Sequence, residues 1–214
     1  MTIRAARAAC AALAVALSSA VGIRPALAQA PVSPVEQARL DSIRRPYTQA
    51  DIDFMTGMIA HHSQAVVMAN EAASHGASKS VATYCGRVAM AQTAEIGLMQ
   101  SWLRNRHQPV PDPDPTGMSM QMNGQSMKML MPGMLTAAQM KLLDDAHGPT
   151  WDRLFLTFMI QHHEGAIAMV DKLFHTDGAA QDEFTFKFAN DVQADQTTEI
   201  DRMKQMLETM AASN

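Results

Sequence analysis

The chain repeats itself. At an offset of 101 residues, Phe54, Met58, Ile59, His61, His62, Ala65 and Met68 match Phe155, Met159, Ile160, His162, His163, Ala166 and Met169. At an offset of 104, Gln92, Glu95, Ile96 and Met99 match Gln196, Glu199, Ile200 and Met203. The spacing of apolar residues within each repeat is helical. Each half therefore reads as two helices joined by a turn. One such hairpin leaves an apolar face uncovered, so the two halves must pack on each other. The expected fold is all-α, a four-helix bundle of duplicated αα-hairpins with a long middle connection.

Punctuation along the chain sets the boundaries. Thr48 with Asp51, and Thr136 with Gln139, have the spacing of capping boxes. His75-Gly76 is a stop signal, and Gly148-Pro149 breaks the short helix opened at Thr136. The first hairpin spans residues 48–107. A connector spans 108–135, Pro-rich at its start, where Pro109, Pro111, Pro113 and Pro115 forbid helix. A short helix and the second hairpin fill 136–214, and a long helix is expected from about Thr150.

Residues 1–28 read as a secretory signal peptide. Arg4 and Arg7 precede an apolar run from Ala8 to Ile23, and Ala26-Leu27-Ala28 forms a small-x-small cleavage site. The run is shorter than the roughly 20 residues of a span and is broken by Ser18, Ser19 and Gly22. An exported, periplasmic protein with no membrane span after cleavage is expected, beginning with a flexible tether over 29–47. The signal carries Cys10 away, which leaves Cys85 without an internal disulfide partner. Cys85 reads as a small buried hydrophobe. The net charge of −4 and the lack of a basic stripe exclude nucleic acid as a partner. The outlying number is 19 methionines against seven phenylalanines.

The paired histidines flank the centre of the buried stripe of their helices, so at least one imidazole in each pair must be buried. One reading is a closed polar network, with Glu95 and Glu199 as hydrogen-bond acceptors across the bundle. The other is a metal site. Met58, His61, His62 and Met68, and Met159, His162, His163 and Met169, are imidazole–thioether sets suited to copper, above all Cu(I). Glu95 and Glu199 would then orient the imidazoles. The helical wheel does not choose between the two histidines of a pair.

Between the halves lies "MSMQMNGQSMKMLMPGM". Met118, Met120 and Met122 form one array of period two; Met127, Met129 and Met131 form another, and Met134 follows. Core methionines on a helix would be spaced by three and four. Period two in an extended chain puts the thioethers on one side. The expected element is a flexible chelating arm for Cu(I), for which Ag(I) can substitute. A Met-rich docking surface and a sacrificial sink for oxidants are the alternatives.

The duplicated "MxxHHxxA" helix followed by "QxxEIxxM", with a Met-rich connector, resembles the domain-of-unknown-function family numbered three-oh-five, from about Asp51 to Leu207. That resemblance implies a ferritin-like bundle of the CopM type, an exported copper-binding protein of copper tolerance or homeostasis. Its partner would be the metal ion and a second exported copper protein. One departure is Ser63, where the second half has Glu164. No nucleophile–base pair is evident, so no enzyme is expected. A ferritin-like di-metal oxidase would need Glu-x-x-His motifs, and none occurs. An interaction module with a Met-rich docking arm is the remaining alternative.

Overall fold

The computed structural model describes residues 33–36, 47–122 and 124–212. The signal segment expected over 1–28, and all of the tether over 29–47 except 33–36 and Tyr47, lie outside them. The described chain is mostly helical. Helix α1 runs Gln49–Asn70 and ends in a single 3-10 turn, Glu71–Ala73. Helix α2 is Lys79–Asn105, α3 is Ala137–Asp144, α4 is Gly148–Phe174 and α5 is Glu183–Ala212. Among these none is long and apolar enough to cross a membrane.

Local chemistry explains the ends. Thr48 and Asp51 exchange hydrogen bonds as a capping box: Thr48 N donates to Asp51 Oδ2 over 2.7 Å, and Thr48 Oγ1 accepts from Asp51 N over 3.4 Å. Ser78 Oγ caps α2 through Val81 N. Gly148 and Pro149 do not delay α4 to Thr150. Pro149 lies in the first turn, where its missing N–H costs nothing. Asp182 precedes α5 and accepts from Thr185 N over 3.1 Å while its carboxylate also meets Arg106 Nη2 at 3.1 Å.

Two acids pin the halves together. Asp51, at the start of α1, accepts from Ala180 N over 2.7 Å, in the turn between α4 and α5. Asp152, its counterpart at the start of α4, accepts from Ser78 N over 3.2 Å, in the turn between α1 and α2. Gly148 N also donates to His75 O over 2.7 Å. The start of each first helix thus meets the far end of the other, so α1 and α4 run antiparallel and meet near their middles.

The core along these two helices is divided. Phe54, Met55, Met58 and Ile59 of α1 join Ala166, Met169, Val170 and Leu173 of α4 in one apolar cluster. Ala65, Met68 and Ala69 of α1 join Trp151, Phe155, Leu156 and Met159 of α4 in another. The four paired histidines fall between the two clusters on both helices, fully buried.

The connector is extended but folds back on itself as a paired hairpin rather than standing as a free arm. Strands β1 (Met118–Met122) and β2 (Gln125–Met129) pair antiparallel, with Met118 opposite Met129 and Met120 opposite Met127. Gly124, at φ 77°, lies in the turn between them. Met131 and Met134 belong to neither strand. They turn inward and are buried in the cluster that holds Met58 and Met169. The reason is the Pro132-Gly133 turn, since Gly133 adopts φ 76° and reverses the chain into the space between α1 and α4.

Candidate metal centre

The centre is built where α1 and α4 meet. The His61 and His162 rings face each other with centroids 3.8 Å apart and planes tilted by 39°. His61 Nε2 lies 3.0 Å from Pro132 O, so a neutral His61 donates there and keeps a free lone pair on Nδ1. That Nδ1 has no protein partner, and neither ring nitrogen of His162 has one. The outer histidines reach the neighbouring helices. His62 Nε2 lies 2.8 Å from Glu95 Oε2, though out of hydrogen-bonding alignment, and His163 Nε2 lies 2.6 Å from Glu199 Oε2. Both of their Nδ1 atoms are buried and unpartnered. Each such orphan costs about 1–3 kcal/mol unless something binds it.

Burial holds His61 and His162 well below the ordinary imidazole range, and the neighbouring imidazoles add to the effect. Both are therefore neutral in the fold and charge only on unfolding. The unfolded chain binds the extra protons below about pH 6.5, so this contribution is present above that pH and is lost as pH falls. The slope is about 1.4 kcal/mol per pH unit for each group. Denaturant unfolding should show the apo protein weaker at pH 5 than at pH 7. The double variant His61→Leu/His162→Leu should lose most of that difference; an equal pH dependence in the variant would contradict a buried neutral pair.

The methionines group across the helices rather than along them. Met58 of α1 shares its cluster with Met169 of α4, while Met68 of α1 shares the other with Met159 of α4. The side of Met58 and Met169 is further loaded. The position of a Cβ on Gly57 is 2.9 Å from Met131 Sδ and 3.4 Å from Met169 Cε, so both side chains seat against the bare backbone of α1. Met134 Sδ lies 3.3 Å from Met131 N. Thus Met131 and Met134 join Met58 and Met169 on one side of the histidines, and the two sides are unequal.

On the hairpin, Met118, Met120, Met127 and Met129 occupy one face as two cross-strand pairs. Met127 and Met129 are 50% and 43% exposed, Met120 is half-buried, and Met118 packs on the cluster that contains Met131 and Met134. Met122 ends β1 opposite Gln125. Methionines thus run from solvent toward the buried imidazoles.

Several residues that position the centre were not singled out in the sequence. Gln64 Nε2 donates to Pro115 O and to Leu135 O, and its Oε1 accepts from Leu135 N over 2.6 Å, clamping the connector on both sides of the hairpin. Gln161 Nε2 donates to Gly133 O over 3.1 Å. Gly165 lets the Pro132-Gly133 backbone touch α4. The available signal was glycine inside a helix, at Gly57 and Gly165, which costs helix stability and marks a close approach.

Between α2 and α5, outside the outer histidines, is a cleft of about 140 Å³ lined by Gln92, Glu95, Asp195, Gln196, Thr198 and Glu199, with Ala91. Burial, then the charges of Glu95 and Glu199, push the Asp195 carboxyl up from its usual range. Cys85 is buried in the cluster of Met68 and Met159, its thiol pushed up to about 12 chiefly by burial, so it stays protonated and packs as a hydrophobe. Among the described residues no three His, Cys, Asp or Glu side chains converge tightly enough to hold a metal alone. A full ligand set here would draw on thioether sulfur or on amide oxygen as well.

A family model described as Domain of unknown function (DUF305) matches residues 51–207. Solved structures share the fold. A DUF305 protein from Streptomyces coelicolor is 28% identical, with a TM-score of 0.63, over 76% of this chain and 94% of that one. CopM in its Cu(II)-bound form is 25% identical, with a TM-score of 0.56, over 74% of this chain and 96% of that one. CopM in its Cu(I)-bound form, at 24% identity and a TM-score of 0.57, covers 77% of this chain and 98% of its own. No curated protein matches.

Proposed function

The chain belongs to the DUF305 family, and from that premise we propose that it is an exported copper-binding protein. It holds Cu(I) through thioether and imidazole ligands and sequesters it or hands it to a second exported copper protein, in copper tolerance or homeostasis. The observation that carries this reading is the set of buried imidazole nitrogens without partners, flanked by methionine clusters on both sides. A closed polar network would have paired those nitrogens. Neutral imidazole and thioether together suit a soft monovalent ion, and neither needs to lose a proton in the folded protein. Solved CopM structures, similar in fold, hold Cu(I), Cu(II) and silver, which supports copper as the cargo.

In this reading the ligands are drawn from His61, His162, Met58, Met131, Met134 and Met169 on the richer side. Met68 and Met159 serve the other, and His62 and His163 reach outward, with Glu95 and Glu199 orienting them. The exposed hairpin methionines are the first contact for the ion. The two antiparallel hairpins make a ferritin-like four-helix bundle whose Met-rich connector is a working part. The signal-like residues 1–28 support export to the periplasm. No reaction is assigned.

The test is an anaerobic competition titration of the chain from Gln29 onward against a chromophoric Cu(I) chelator. Tight withdrawal of at least one Cu(I) is expected, and no competition at all overturns the reading. Replacing Met118, Met120, Met127 and Met129 with leucine should lower the number of Cu(I) bound while the helical circular dichroism stays unchanged. An unchanged stoichiometry would remove the hairpin from the ligand set.

A further inference from the structure

The cleft between α2 and α5 is separate in chemistry from the thioether side of the centre. Its walls are repeat partners, Gln92 with Gln196 and Glu95 with Glu199, so it straddles the symmetry of the duplication. Asp195 and Thr198 add further oxygens. No sulfur lines it. The two amides are the unexplained feature. Gln92 and Gln196 are 2% and 3% exposed, and Gln92 Nε2, Gln92 Oε1 and Gln196 Oε1 have no partner. Burying an amide oxygen from each repeat beside three carboxylates, with nothing donating to either, is unfavourable in an empty cleft. A cation removes both problems at once, because amide oxygen and carboxylate are its donors.

We propose that this cleft is a second metal site, for a divalent cation bound through oxygen, with Glu95, Glu199 and the amide oxygens of Gln92 and Gln196 as ligands. The carboxylates supply the charge that a doubly charged ion calls for, and Asp195 strengthens the field at the mouth. The ion is Cu(II), an identification that rests on the copper reading above. Carboxylate and amide oxygen are hard donors that take Cu(II) far better than Cu(I), whereas the methionine side suits Cu(I). The protein thus offers the two oxidation states different faces of one histidine layer.

The test compares three proteins with Cu(II) alone, followed by electron paramagnetic resonance and by competition with a Cu(II) chelator. They are the parent, Gln92→Leu/Gln196→Leu and Asp195→Asn. The leucines match the amides in size and remove the unpartnered Gln92 amide and the unpartnered Gln196 oxygen, so the apo melting temperature should hold or rise. Cu(II) affinity should fall at least tenfold in the leucine variant and severalfold in Asp195→Asn, with Cu(I) affinity unchanged in both. Parent-like Cu(II) affinity in both variants overturns the site. So does a leucine variant whose apo melting temperature drops while Asp195→Asn binds Cu(II) as the parent does, because the amides are then structural. A parent that takes Mn(II) in the cleft in preference to Cu(II) overturns the identification of the ion. Failure of the copper reading itself is seen separately, as a parent that does not bind Cu(I).

Discussion

Gly165→Ala should destabilise the protein by about 2–3 kcal/mol and loosen the turn that covers the histidines. The methyl group would meet Pro132 O and the Gly133 Cα, the latter at 2.5 Å. These are backbone atoms and cannot swing aside as a side chain would. Either α4 moves or the Pro132-Gly133 turn is pushed out. The second course breaks the contact of His61 Nε2 with Pro132 O and the bond from Gln161 to Gly133 O. Alanine recovers about 1 kcal/mol of helix propensity, which offsets the clash only in part. The melting temperature should fall by roughly 5–10 °C. Gly86→Ala and Gly97→Ala are the controls. A Cβ at either meets nothing within 4 Å, so propensity alone acts and stability should rise. If Gly165→Ala melts no lower than the parent, the turn is not wedged against α4.

The second large effect is on affinity rather than on folding. Met131→Leu/Met134→Leu/Met169→Leu keeps the volume of the buried cluster, and each swap of this type costs less than about 1.5 kcal/mol. It removes every sulfur contributed by those positions. Cu(I) affinity should fall by about 100-fold or more, equivalent to roughly 2.7 kcal/mol, while the apo protein keeps its helical signal. Met68→Leu/Met159→Leu should have the smaller effect, because the connector delivers its two extra methionines only to the Met58–Met169 side. Parent-like affinity in the triple variant would make these methionines packing residues, and equal losses in the two variants would contradict the asymmetry.

The depressed basicity of His61 and His162 changes what a pH profile of copper binding can decide. An imidazole that is already neutral in the fold loses no proton when it binds metal. Affinity that stays flat from neutral into mildly acid pH is therefore compatible with both as ligands, and loss of binding at lower pH should accompany loss of the fold.

Much of the fold was legible because its determinants are local. Thr48 with Asp51, Ser78, and Thr136 with Gln139 announce helix starts by hydrogen bonds spanning three residues, and periodicity of 3.6 marks the faces. The connector was legible only in composition. Period two implies an extended chain, but strand pairing depends on the Gly124 turn and on partners in a second strand. The inward turn at Pro132-Gly133 depends on glycine at position 165, far along the chain.

By itself the sequence determined that two helical hairpins would form, that each would carry a His-His pair beside its apolar stripe, and that thioethers would be plentiful nearby. Repetition, capping and helical period are properties of neighbouring residues, and they survive without a partner. Only the tertiary structure decided which groups meet. The antiparallel approach of α1 and α4, held by Asp51 to Ala180 and Asp152 to Ser78, stacks His61 on His162 and sends His62 and His163 outward to Glu95 and Glu199. It also parts Met58 from Met68 and pairs each with a methionine of the other repeat. Distances across a packed interface are set by how two surfaces fit, and no spacing along one chain encodes them.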